Sequence, residues 1–295
     1  MGSRVILSLP MVVAAEPDQG PLECVMAACE DLLAAHSASA RAEIEHVVLA
    51  GGAGAGLDIA ALLPHRLGLA EHVTCTLAHG ESGAAGLATL RIAEACCRGN
   101  GAARVLVVCV GGARRDTASL PPAVAALVSG SDHPGSAAVL RLERLATWSH
   151  RPESGELTLS ECDDGFDLAT SNYLATSQEM DLGGFLRDHL GLELRRAARA
   201  AWAVHSSAAG PGAGVPALRL DDVRRLLDLD DDSLASSRSA LARHGTLATS
   251  GVWQALHAAM RGDAAEIIAL GMGPGPTLEA ARLTRIDAWP LSSGD

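Results

Sequence analysis

Residues 73–112, VTCTLAHGESGAAGLATLRIAEACCRGNGAARVLVVCVGG, hold a short apolar run, a small-residue turn, an amphipathic segment and a second apolar run. Val73 to Leu77 is short enough for a buried strand, and Arg104 to Cys109 is rich in β-branched residues that suit a pleated sheet. Between them Ala84, Leu87, Leu90, Ile92, Ala95 and Cys96 recur at roughly helical spacing, and Gly99 to Gly101 ends the pattern. The stretch therefore predicts strand, helix, strand: the centre of an α/β half. Gly80, Gly83 and Gly86 mark a turn where backbones approach closely, with Glu81 and Ser82 at its tip. Strand-to-helix elbows of this type present nucleophiles.

Upstream, residues 4–14 read as a strand, 22–36 as an alanine-rich helix, His46 to Ala50 as a second strand and Leu57 to Leu67 as a second helix. This alternation predicts a parallel sheet covered by helices. The glycine cluster at 51–56 invites a dinucleotide-binding reading, but it fails the GxGxxG spacing and no acidic residue ends the following strand. Downstream, Ser131 to Leu140 reads as a turn and strand that, with Gly155 to Ser160, closes the first half in antiparallel fashion. A polar loop from Cys162 to Asp181 leads to a helix over Leu182 to Ala201, then a strand from Trp202 to His205. A helix from Gly251 to Met260 precedes the strand and glycine-rich loop of Ile267 to Gly275.

Composition narrows the function classes. The chain has 295 residues, ample for one large domain or two halves sharing an interface. All 23 basic residues are arginine, which excludes a lysine Schiff base or a P-loop lysine. A net charge of -12, with no aromatic-basic patch to offset it, argues against nonspecific nucleic-acid binding. Seven scattered cysteines without CxxC pairs suit a reduced, cytoplasmic protein, and no apolar run reaches the roughly 18 residues of a membrane span. Asp228 to Asp232 begins like a calcium loop but has Ser233 and Ser239 at the sixth and twelfth positions, so it reads as a solvated turn between helices. No metal site is expected. Cys96 and Cys97, adjacent on a helix, read as core or half-buried thiols.

Three segments carry a family resemblance. The helix and strand after the elbow resemble the segment that follows the nucleophile in ketoacyl synthase III and type III polyketide synthases of the thiolase fold. Trp202-Ala-Val-His205 resembles the strand ending at the family's catalytic histidine, and Arg243-His-Gly-Thr-Leu-Ala-Thr-Ser250 its glycine-asparagine turn. Ile267 to Gly275 is similar to the strand and loop that close the family's site, where Gly273 and Gly275 would line it. The resemblance implies an α/β thiolase fold, with two similar βαβαβ halves (residues 1–160 and 161–295) packed as α-β-α-β-α layers. It also implies a homodimer or heterodimer with a ketoacyl-synthase-like subunit, no bound cofactor, and acyl groups delivered on coenzyme A or the phosphopantetheine of an acyl carrier protein.

The departures concern the chemistry. Gly83 stands at the family's nucleophilic cysteine, with Ser82 and Glu81 beside it, and Thr246 stands at its asparagine. Of that triad only His205 remains, which in the family stabilises charge on the thioester oxygen. Thr246 offers one hydroxyl hydrogen where a carboxamide offers two. Glu81, as a carboxylate, cannot carry the acyl group as a thioester. Gly80-Glu-Ser-Gly-Ala84 nearly reproduces GxSxG, so Ser82 is either a nucleophile or the cap of the following helix. A serine hydrolase of another fold would need an acid and histidine late in the chain, and only Asp221 with His244 can be nominated. Two readings follow: a degenerate subunit paired with a catalytic homologue, or an acyltransferase using Ser82 and His205.

Overall fold

The structure, a computed structural model, describes residues 5–8, 11–13, 20–36, 39–51, 55–80, 82–99, 104–110, 123–130, 138–149, 157–162, 165–170, 182–193, 198–205, 219–244, 249–273 and 277–286. In chain order the first half supplies β1 (Val5–Ser8), β2 (Met11–Val13), α1 (Pro21–Ala34), β3 (Ile44–Gly51), α2 (Ala55–Arg66) and β4 (Thr74–His79). It continues with α3 (Gly83–Gly99), β5 (Arg104–Val110), β6 (Ala123–Gly130), β7 (Ala138–Ser149) and β8 (Leu157–Cys162), after which comes β9 (Gly165–Thr170). The second half supplies α4 (182–190), β10 (Ala201–Val204), α5 (Leu220–Leu227), α6 (Ala235–His244), α7 (Gly251–Met260), β11 (Glu266–Met272) and β12 (Thr277–Arg285).

Ten strands form one sheet in the order β10-β11-β12-β7-β1-β6-β5-β3-β4, with β2 also pairing on β6. The β3–β4, β3–β5 and β10–β11 pairs are parallel, as crossover helices require, and the remaining pairs are antiparallel. Period-two alternation then sorts the side chains into layers. On β5, Val105, Val107 and Cys109 face α3 and α7, whereas Leu106, Val108 and Val110 face α1 and α2. On β11, Ile267 and Ala269 join the same α3/α7 core, whereas Ile268, Leu270 and Met272 face α4 and α5. Helices α3 and α7 thus lie between strands of the two halves, with α1 and α2 outside one half and α4 and α5 outside the other. This is the five-layer α-β-α-β-α arrangement expected. The halves are also hydrogen-bonded through β7, which pairs with β1 on one side and β12 on the other.

Several local expectations are corrected. The β8 strand does not close the first half; it pairs with β9 in a separate two-stranded sheet, so part of the expected loop at 162–181 is a strand. The helix expected over 182–201 ends at residue 190, where Gly191 at φ 60 adopts the left-handed conformation that stops it. The fully buried β6, AVAALVSG, was not anticipated because its alanines carry little β propensity; burial on both faces holds it there. Asp228 ends a helix, with φ 51 at the α5 C-cap. None of the described helices is long and apolar enough to cross a membrane.

One polar tie crosses the central layer. Arg91 of α3 donates to Glu279 of β12, whose other carboxylate oxygen accepts from Thr147 Oγ1 of β7 at 3.0 Å. Glu279 is buried, and burial holds its carboxyl above the ordinary 4.5 against the opposing pull of Arg91. Truncating Arg91 to Ala leaves that carboxylate with only the Thr147 hydroxyl, and urea unfolding is expected to show a loss of about 2 kcal/mol. The raised folded pKa means that the Glu279 contribution is full below about 4.5 and is lost as pH rises through the folded value. Wild type is therefore expected to lose stability relative to Glu279→Gln as pH rises from that point. A constant difference between the two would refute the assignment.

Candidate active site

The site is built where α3 begins. Gly80 follows β4 at φ 150, a conformation that side chains rarely adopt, and its carbonyl accepts from Thr249 Oγ1 at 2.7 Å. Ser82 then caps α3: its Oγ accepts from Ala85 N–H at 3.2 Å, and the residue is 4% exposed. That bond satisfies one of the helix's unpaired N–H groups.

Gly83, at the first helical position, meets the end of β10. A Cβ built there would lie 2.4 Å from His205 Cβ, 2.5 Å from its Cγ and 2.7 Å from its Nδ1. The nearest atom is the root of the histidine, not the tip of a flexible chain, so no rotamer change relieves the overlap. The backbone N–H of His205 donates to Leu270 O at 2.9 Å, which ties the histidine to β11. Two further glycines seal the arrangement. A Cβ at Gly271 would fall 2.3 Å from Gly83 O, and one at Gly86 would fall 2.3 Å from Thr249 O. Trp253 Nε1 donates to Gly86 O at 2.8 Å, drawing α7 against the same turn.

Of the residues nominated from sequence, Ser82, Gly83 and His205 meet at this turn. Gly273 lies beside it, where a Cβ would be 3.2 Å from Ala84 Cβ. Glu81, Thr246 and Gly275 lie outside the described residues. Asp221 is engaged by Arg238 Nη2 at 2.8 Å, and the guanidinium holds its carboxyl below the usual range. His244 ends α6, its imidazole lowered by burial and then by the charges of Arg243 and His257. The locking roles of Thr249, Trp253 and Gly271 were not anticipated. Only the density of small residues hinted at such close backbone contact.

No activated thiol stands in for the missing nucleophile among the described residues. Cys24, Cys29, Cys75, Cys96, Cys97 and Cys109 all have pKa values raised by burial, Cys109 and Cys97 to about 12. A nucleophilic cysteine needs the opposite shift. No group of three or more His, Cys, Asp or Glu that could hold a metal ion occurs among the described residues.

No protein-family model matches the chain, and no curated protein matches it in sequence. Solved structures do. The C-terminal type III polyketide synthase domain of Steely1, a type I/III hybrid from Dictyostelium, superposes with a TM-score of 0.73 at 17% identity, over 92% of this chain and 77% of that one. A type III pentaketide synthase from Neurospora crassa gives 0.70 at 16% identity, over 96% of this chain and 100% of that one. A point mutant of CsyB gives 0.69 at 17% identity, again over 96% and 100%. The fold is thus the thiolase fold in the form these type III polyketide synthases share.

If the His205 contact fixes position 83, Gly83→Ala lowers stability by about 2 kcal/mol or more. Adding His205→Gly, which removes the clashing Cβ, recovers more than half of that loss. A double-mutant cycle by chemical denaturation measures the coupling, and additive effects would contradict the contact.

Proposed function

We propose that this chain is an active-site-degenerate, ketoacyl-synthase-III-like subunit that pairs with a catalytic homologue. Its assembly carries out condensation or acyl transfer on acyl thioesters in fatty-acid or polyketide-type biosynthesis, in the cytoplasm. The observation that carries the reading is the contact of Gly83 with His205. A condensing site needs a nucleophile between the start of α3 and the histidine, and here the histidine's own Cβ occupies the space a side chain would take. Ser82, the neighbouring hydroxyl, is buried and engaged as a helix cap. The raised thiol pKa values leave no described cysteine to replace it.

The partner surface we assign is β4. Among the described residues it is the last strand of the sheet and it leads directly into the elbow, so a second chain adding to its outer edge would meet the site. A homologous subunit, identical or catalytic, is the occupant in this reading. Acyl groups on coenzyme A or an acyl carrier protein would then be handled by the partner's cysteine, without a cofactor resident in this chain.

A second reading draws on the same juxtaposition. His205 abuts the residue that follows Ser82, so a Ser82/His205 pair could move an acyl group from coenzyme A or carrier protein to an alcohol or amine acceptor. That reading requires the Ser82 hydroxyl to leave its capping bond and become exposed.

Intact-mass measurement after incubation with a panel of acyl-CoA and acyl-carrier thioesters separates the two. The degenerate subunit is expected to show no adduct in wild type or Ser82→Ala. Gly83→Cys is expected to gain no condensing activity, because the added side chain has no space. An adduct present in wild type and lost in Ser82→Ala would establish the serine enzyme instead.

A further inference from the structure

Among the described residues β4 is the last strand of the sheet, and its backbone fixes which groups turn outward. Gly80 N–H, one residue past the strand, donates to Gly51 O of β3 at 3.4 Å. Successive residues of a strand turn their backbone groups to opposite sides, and β4 runs parallel to β3 in unbroken register from Thr74 to His79. Thr74, Thr76 and Ala78 therefore bond to β3, and Cys75, Leu77 and His79 present N–H and C=O at the outer edge. Native edges are blunted by charge, proline or a bulge. Thr-Cys-Thr-Leu-Ala-His has no Asp, Glu, Lys, Arg or Pro and no register shift; Thr74 is exposed and residues 75–78 are only half-buried.

Resting on the reading that β4 is the partner surface, we propose that the strand added to it is β4 of a second copy of this chain. The two strands run antiparallel about a two-fold axis at Leu77, which sets each copy's Thr74 and His46 beside the other's elbow. In an antiparallel pair only residues that face each other can exchange both hydrogen bonds. An axis at Leu77 opposes Leu77 to the partner's Leu77 and Cys75 to the partner's His79, satisfying all three outward residues with about six hydrogen bonds. An axis at Thr76 would oppose His79 to the partner's Val73, whose N–H is already given to Ala70 O at 3.0 Å. An axis at Ala78 would carry Cys75 past the end of the partner strand. No acidic or arginine side chains oppose each other, so identical strands meet without like-charge repulsion.

The face of the sheet that carries α3 adds a second component. Ala85, Ala88, Ile92 and Ala95 recur at helical spacing, about 140° around α3 from the Gly86 that meets α7, and none is buried. A two-fold axis normal to the sheet puts both α3 helices on the same face, and these mostly small side chains let the two flanks approach. The register also sets the partner's Thr74 opposite Gly80, which has no side chain to obstruct it. Thr74 Oγ1 lies 2.5 Å from Nδ1 of His46, whose Nε2 lies 2.8 Å from Thr76 Oγ1. His46 shares its face of β3 with Val48 and Ala50, which pack with α3, and the elbow turns into α3 on that face. A hydroxyl and an imidazole of one copy thus flank the turn that begins at Gly80 of the other.

The test uses the full chain, purified alone, with Cys75→Ser as background and Thr76→Cys, Leu77→Cys or Ala78→Cys added singly. About the Leu77 axis, position 77 faces its own copy with Cα atoms about 5.5 Å apart, within disulfide reach. Positions 76 and 78 lie diagonal to their own copies at about 7–8 Å, beyond it. Under mild oxidation Leu77→Cys is expected to form a covalent dimer about tenfold faster than either neighbour or the background. Sedimentation of the wild-type chain is expected to show a dimer, and circular dichroism of each variant matching wild type excludes crosslinking through unfolded chains. Crosslinking at 76 or 78 as fast as at 77, none at 77, or a wild-type chain that sediments as a monomer overturns the proposal. The monomer result leaves pairing with a catalytic homologue standing, whereas a Ser82-dependent acyl adduct overturns that reading without altering the crosslink pattern.

Discussion

Backbone meeting backbone at the start of α3 is the constraint on which the rest of this structure depends. Gly83, Gly86 and Gly271 each stand where a single added carbon would fall within 2.5 Å of a neighbour. Through them α3 is pressed at once against the end of β10, the end of β11 and the turn before α7. These contacts bring the two halves of the sheet to a shared helical layer. The hydrogen bonds of Thr249 to Gly80 O and Trp253 to Gly86 O occupy carbonyls that the small residues leave accessible. Apolar burial on β1, β5, β6, β11 and β12 supplies the driving force, but the glycines set how closely the layers approach.

That close approach shapes the chemistry available. In a strand-to-helix elbow the first helical residue can be displayed to a crevice, with backbone amides behind it to hold an oxyanion. Here the same position faces the root of a histidine, and the adjacent serine is turned into the helix as its cap. Burial has also moved every described thiol away from reactivity.

Much of this was legible in the residues. The strand, helix, strand reading of 73–112 follows from hydrophobic period and β-branched content, whereas the α7 helix and the β10 and β11 strands rest on the family resemblance of their segments. The five-layer architecture needed the resemblance carried by the elbow, Trp202 to His205 and the closing glycine loop. Two kinds of information were not legible. β6 is built from alanines whose strand state comes from burial on both faces, a tertiary effect that propensity does not register. The Gly83 to His205 contact joins positions 122 residues apart in numbering (205 less 83), and nothing near either residue announces it. Ser82 carried two meanings in the sequence, nucleophile and cap, and the bond from Ala85 N–H is the one the fold makes.

The most direct measurement of the central claim is the separation of Gly83 and His205 in solution. In a chain labelled with 13C at glycine and histidine, nuclear Overhauser spectroscopy reads the proximity of the Gly83 Hα protons to the His205 Hβ protons. The account predicts a strong cross-peak, that of protons in van der Waals contact, unchanged by acyl thioesters. Its absence, with the imidazole turned away and the Gly83 protons open to solvent, would contradict the closed site.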